Sequence, residues 1–184
     1  MKGSSKTAIT VTVCGLFAAI SVVLMLVSYI GTLSYALAAA AGALLILIYL
    51  ELGTKNAFTV YFAVSVLSFM LCNKEAALCY TLFFGYYPIL KAFIEKLHNK
   101  TVQWTIKLAT FIVAFAGVMI LGAWLFSIPV DDMGYGIIGI AALCVALVVM
   151  FVIYDIALTR IITFYIYKYQ EKFRRLLRLN KGNI

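Results

Sequence analysis

Thr81-Leu82-Phe83-Phe84-Gly85-Tyr86-Tyr87-Pro88-Ile89-Leu90-Lys91 lies inside an apolar segment running from about residue 76 to 97. Four aromatics, a glycine, a proline and a lysine share these eleven residues. In a water-soluble helix Pro88 would break the hydrogen-bond ladder. Within a bilayer it is tolerated, because neighbouring helices, hydroxyl side chains or ordered water re-satisfy the freed backbone groups. Pro88 therefore predicts a kink in a membrane helix. Lys91 comes before the basic cluster Lys96, His98 and Lys100, at or just beyond hydrocarbon depth. An ammonium there either snorkels to the interface or is paired inside a helix bundle.

The composition around this stretch agrees with a lipid setting. The 184 residues are 65% hydrophobic and 12% charged, with mean hydropathy +1.07. A soluble domain of that length could not hide so much apolar surface. The net charge of +8 sits between apolar segments and at the C-terminus. It reads as a topology signal and a contact to anionic headgroups rather than to nucleic acid. Cys14, Cys72, Cys79 and Cys144 form no CxxC pair, and His98 is the single histidine, so neither a disulfide framework, a metal site nor a cofactor is suggested.

Six spans follow from hydropathy and length, over about 8–30, 33–50, 57–72, 76–97, 104–126 and 136–158, with a basic amphipathic helical tail over 159–184. The predicted fold is all-α: one integral membrane domain, 1–184, formed by a bundle of six transmembrane helices. Span two is rich in alanine and glycine from Ala36 to Ala43. Small residues let helix backbones approach, so Ala36, Ala39, Ala40 and Ala43 are expected to form its packing face. Polar turns are expected at 31–32, 51–56 and 73–75, a basic loop at 95–103 and an outer loop at 127–135.

With six spans, one side collects Lys2, Lys6, Lys55, Lys96, Lys100, Lys168, Lys172, Arg174, Arg175, Arg178 and Lys181, and the other side only Lys74. The positive-inside rule puts both termini in the cytoplasm of a multi-pass plasma-membrane protein. Asp155 then lies about 28 Å below the outer end of its helix, near the inner interface. Glu51, Lys91, Asp155 and Arg160 are candidates for one inner ring of charges, as a paired network or as separate snorkelling groups. Near the outer face, Tyr29, Tyr35, Asn73, Tyr80, Trp124 and Asp131 either line a pocket for a small molecule or form an ordinary aromatic belt. No Walker loop, zincin helix, Ser/His/Asp set or dinucleotide fingerprint occurs, so no enzymatic activity is expected.

This organisation of about 180 residues, six spans, cytoplasmic termini and a small-residue motif in span one resembles the substrate-binding S subunit of energy-coupling-factor (ECF) vitamin and micronutrient transporters. The family's AxxxA motif corresponds here to Gly15-x-x-x-Ala19, with Ala18 beside it. The resemblance implies that Gly15, Ala18 and Ala19 dock on a transmembrane coupling subunit served by ABC ATPases. It also implies a vitamin or micronutrient ligand held towards the extracellular side. The alternative class is a non-transporting membrane scaffold or accessory subunit that holds a cytoplasmic partner through its basic tail.

Overall fold

The computed structural model describes residues 2–30, 33–126 and 137–170, and no strand occurs among them. The chain forms α1 (Lys2–Val27), a 3-10 turn (Ser28–Ile30), α2 (Ser34–Leu52), α3 (Thr54–Leu71), α4 (Lys74–Cys79), a π turn (Tyr80–Phe84), α5 (Tyr87–Ile94), α6 (Lys100–Phe126) and α7 (Ile137–Lys168). The fold is all-helical. Six helical stretches are long and apolar enough to cross a membrane, the segment Lys74–Ile94 among them. The turn expected at 31–32, the outer loop 127–135 and the tail beyond residue 170 lie outside the described residues.

Several boundaries differ from those expected. The polar turn over 51–56 shrinks to Gly53, because Glu51 and Leu52 finish α2 and Thr54 starts α3. Gly53 reverses the chain at φ 83°, ψ 176°, a backbone that side-chain-bearing residues rarely adopt. The basic loop narrows to 95–99, since α6 begins at Lys100. Helix α7 runs unbroken past residue 158 to Lys168, as expected of a helical tail that continues the last span. Nothing in Thr159–Tyr167 breaks a helix: there is no glycine or proline.

The segment around Pro88 departs from the helix one turn before the proline, not at it. Pro88 has no N–H to give the Phe84 carbonyl, and its ring would crowd that carbonyl in a regular α-helix. The chain widens instead into the π turn, where the Gly85 N–H bonds the Tyr80 carbonyl at 2.7 Å. Helix α5 then restarts with Pro88 in its first turn, where no N–H is required.

The Phe84 carbonyl, left without its usual partner, approaches α2 at Gly42. A Cβ at position 42 would sit 2.0 Å from that oxygen and 2.7 Å from the carbonyl carbon. This crossing sets the buried face of α2: Ala38, Ala41, Gly42, Leu45 and Ile46. The expected face is therefore corrected. Ala36 and Ala40 are exposed and Ala39 and Ala43 only half-buried, because the helical period is phased on Gly42.

Two apolar clusters fill the interior. One joins α1, α2, α3 and α4 through Met25, Leu45, Ile48, Val64, Ala76 and Tyr80. The other joins the π turn, α5, α6 and α7 through Phe83, Tyr87, Ala114, Phe151 and Leu158. The outer surface stays apolar, with Phe62, Met70 and Val113 about 70% exposed or more. Hydroxyls of Thr12, Thr59, Thr105, Thr110, Thr159 and Thr163 each donate to the carbonyl four residues back. These threonine hydroxyls are thus satisfied on their own helix.

Candidate functional site

Helices α5, α6 and α7 bring four charged side chains into one closed square. Lys91 on α5 and Glu95, the residue that caps its C-terminal end, are one turn apart, so both face the same way. Lys107 enters from α6, one turn inside Trp104, whose ring lies 5.5 Å from its Nζ. Asp155 enters from α7. Lys91 Nζ lies 2.5 Å from Asp155 Oδ1 and 2.8 Å from Glu95 Oε1. Lys107 Nζ lies 2.9 Å from Asp155 Oδ2 and 3.1 Å from Glu95 Oε1. The Tyr87 hydroxyl donates to Asp155 Oδ1 at 2.7 Å, and Lys91 also donates to the Asp155 carbonyl.

Charges alternate around the square, and its depth is uneven. Lys91 is fully buried, the Lys107 and Asp155 side chains are 6% exposed, and Glu95 is 35% exposed. Burying an ion is expensive unless its partners are close and its remaining hydrogen bonds are met. Both carboxylate oxygens of Asp155 are used, by Lys91 and Tyr87 on one side and Lys107 on the other.

Deeper in the bundle lies a second polar feature. Tyr80, at the start of the π turn, is fully buried, and its hydroxyl has no hydrogen-bond partner among the described residues. The same holds for the buried hydroxyl of Tyr154 on α7. Tyr61 on α3 approaches Tyr80. Tyr61 donates to the Thr81 carbonyl at 2.7 Å, a group on the π turn itself. The rings of Tyr61 and Tyr80 are 6.3 Å apart and those of Phe84 and Tyr154 5.2 Å. Among the described residues the π turn thus carries the unpartnered hydroxyls of Tyr80 and Thr81, with that of Tyr154 on α7, and those of Ser65 and Ser68 on α3 are also buried without a partner.

The structure gathers the sequence-predicted residues selectively. Of the inner ring, Lys91 and Asp155 meet directly. Glu51 is elsewhere, accepting a hydrogen bond from Tyr165 at 3.2 Å, and Arg160 is exposed on α7. The five outer residues that are described do not converge on one pocket. Tyr29, Tyr35 and Trp124 are 64%, 50% and 80% exposed. Asn73 uses its side chain to cap α4 by accepting the Glu75 N–H, and Asp131 lies outside the described residues. Tyr80 is the fully buried one among the described five. On α1, Gly15 and Ala19 face outward, with open space where a Gly15 Cβ would stand, while Ala18 packs against the core.

Lys107, Glu95, Tyr87 and Tyr154 complete these features and were not singled out by sequence. Lys107 lies one turn past Trp104 and close to the basic loop, where a lysine reads as an ordinary boundary charge. No group of three or more metal-ligating side chains occurs among the described residues. Comparison with protein-family models, curated proteins and solved structures finds no match.

Proposed function

We propose that this is a multi-pass plasma-membrane protein that binds a small molecule inside its helix bundle, as the solute-binding subunit of an uptake transporter. The observation that carries this reading is the pair of buried, unpartnered phenols, Tyr80 and Tyr154, beside the π turn. A hydroxyl removed from water without a partner costs about 1–3 kcal/mol, so such groups mark a place where a ligand or water completes the hydrogen bonding. Broken helices deep in a bundle are also where membrane transporters place their solute sites. Both termini lie in the cytoplasm in this reading. The outward face of α1 around Gly15 and Ala19 meets a transmembrane coupling subunit served by ABC ATPases, and the chain performs no catalysis of its own.

Mass spectrometry of molecules co-purifying with the detergent-extracted protein tests the reading. A small molecule retained by the native chain and lost from Tyr80→Phe/Tyr154→Phe supports it. Absence of any retained solute, with no thermal shift across a vitamin and nucleobase panel, counts against it.

A scaffold role is the second reading, and the length of α7 favours it. Its 32 residues reach about 48 Å, beyond the ~30 Å of a hydrocarbon core. Tyr167 is 88% exposed on that extension, and the basic sequence from Lys172 to Lys181 follows. A cytoplasmic protein that co-purifies with the full chain and is lost on truncation after Gln170 would establish this role.

A further inference from the structure

We propose that Lys91 and Lys107 form an anion site that Glu95 fills from within, and that a carboxylate or phosphate group arriving at this end of the bundle competes with Glu95 for it. Two buried ammoniums face one another across Asp155, which supplies a single negative charge. A second anion is required to balance them, and Glu95 provides it. It does so with one atom: Oε1 stands 2.8 Å from Lys91 Nζ and 3.1 Å from Lys107 Nζ. That is the bridging place an oxygen of a free carboxylate or phosphate takes between two ammoniums.

Glu95 is also the corner of the square best able to leave. Asp155 is held by two lysines and the Tyr87 hydroxyl and is almost wholly buried. Glu95 caps the C-terminal end of α5, where the 95–99 connection begins, and more than a third of its side chain is exposed. Swinging outward therefore returns its charge to a polar medium at little desolvation cost, whereas any other corner would strand a buried ion. The place it vacates is lined by two ammoniums and is reached along the path its own side chain takes. A ligand bound there releases Glu95 and with it the 95–99 connection between α5 and α6. The chemistry is that of one small anionic oxygen group. It comes either from a soluble carboxylate or phosphate or from the headgroup of an anionic lipid. This site does not depend on the solute-binding reading, because it uses neither Tyr80 nor Tyr154.

The test is thermal unfolding of the purified full chain against inorganic phosphate or acetate at constant ionic strength, in native protein and Glu95→Gln. Phosphate or acetate is expected to stabilise Glu95→Gln with a half-effect concentration at least tenfold lower than for native protein. Adding Lys107→Met to Glu95→Gln should remove the effect. Glu95→Asp, which keeps the charge but draws it back by one methylene, provides the same comparison should Glu95→Gln not fold. A second arm compares these proteins in nanodiscs of phosphatidylglycerol and of phosphatidylcholine. Rescue by soluble anions in detergent identifies a soluble ligand, and rescue confined to phosphatidylglycerol identifies the headgroup. No rescue in either arm, or rescue that survives Lys107→Met, would overturn the proposal.

Discussion

A methyl group at position 42 would stand 2.0 Å from the Phe84 carbonyl oxygen, which is backbone and cannot swing aside. Gly42→Ala is therefore expected to force α2 away from the π turn and to cost about 1–3 kcal/mol or more, seen as a lower melting temperature in detergent. Ala40→Leu should leave stability within about 0.5 kcal/mol, because Ala40 is exposed. A different sign is expected at Tyr80. With no partner to lose, Tyr80→Phe should hold or raise stability in ligand-free protein while weakening any co-purifying solute; a clear loss of ligand-free stability would mean the hydroxyl is already satisfied. The run of small residues in span two was plain in the sequence, but its buried face was not. What phases it is a carbonyl on another helix, freed by a proline four residues further on, and no local pattern in 36–43 encodes that crossing.

At the scale of elements, in the membrane setting proposed above the charge square does work that apolar packing does weakly, because hydrocarbon tails compete on equal terms with side chains. It ties α5, α6 and α7 at one point. Asp155→Ala would leave Lys91 and Lys107 facing only Glu95 and is expected to cost about 3–5 kcal/mol, the usual result of stranding a buried charge. Lys107→Met should cost less, because Asp155 keeps Lys91 and Tyr87. Melting temperatures of the two variants in one detergent give that order, and the reverse order would show that Lys107 rather than Asp155 is the hub. Lys91 and Asp155 were legible as members of one ring because each is a lone ion in an apolar run. Glu95 and Lys107 were not, since each sits beside the basic loop and passes for an ordinary boundary charge. Of the two readings open for the outer aromatics, the exposure of Tyr29, Tyr35 and Trp124 is that of a belt, a distinction composition alone does not draw.

For the whole molecule, six apolar helices were legible from hydropathy alone, because spans of about twenty residues are set by bilayer thickness and not by packing detail. Their ends were harder to read, since a helix stops where its backbone finds another partner and not where its composition turns polar. Orientation is testable directly. Cysteine placed at residue 55 in a cysteine-free background should react with impermeant maleimide only from the cytoplasmic side, and cysteine at residue 131 only from outside. Labelling of residue 55 from outside would invert the proposed topology.

Gly53, the single residue between α2 and α3, bears on how the chain is made. A ribosome delivers α2 first, and no loop intervenes to let it settle before α3 follows. Helix α3 is the least apolar of the six spans, with a mean hydropathy of 1.2 against 2.0 for α2. Left to partition alone, α3 would be the span most easily missed by the insertion machinery. In the proposed membrane setting, joining to α2 by one residue would bring it in as the second arm of a hairpin, drawn across by its neighbour. A lengthened linker at position 53 would thus act during biogenesis, yielding a fraction of chains with α3 left behind and every later helix inverted.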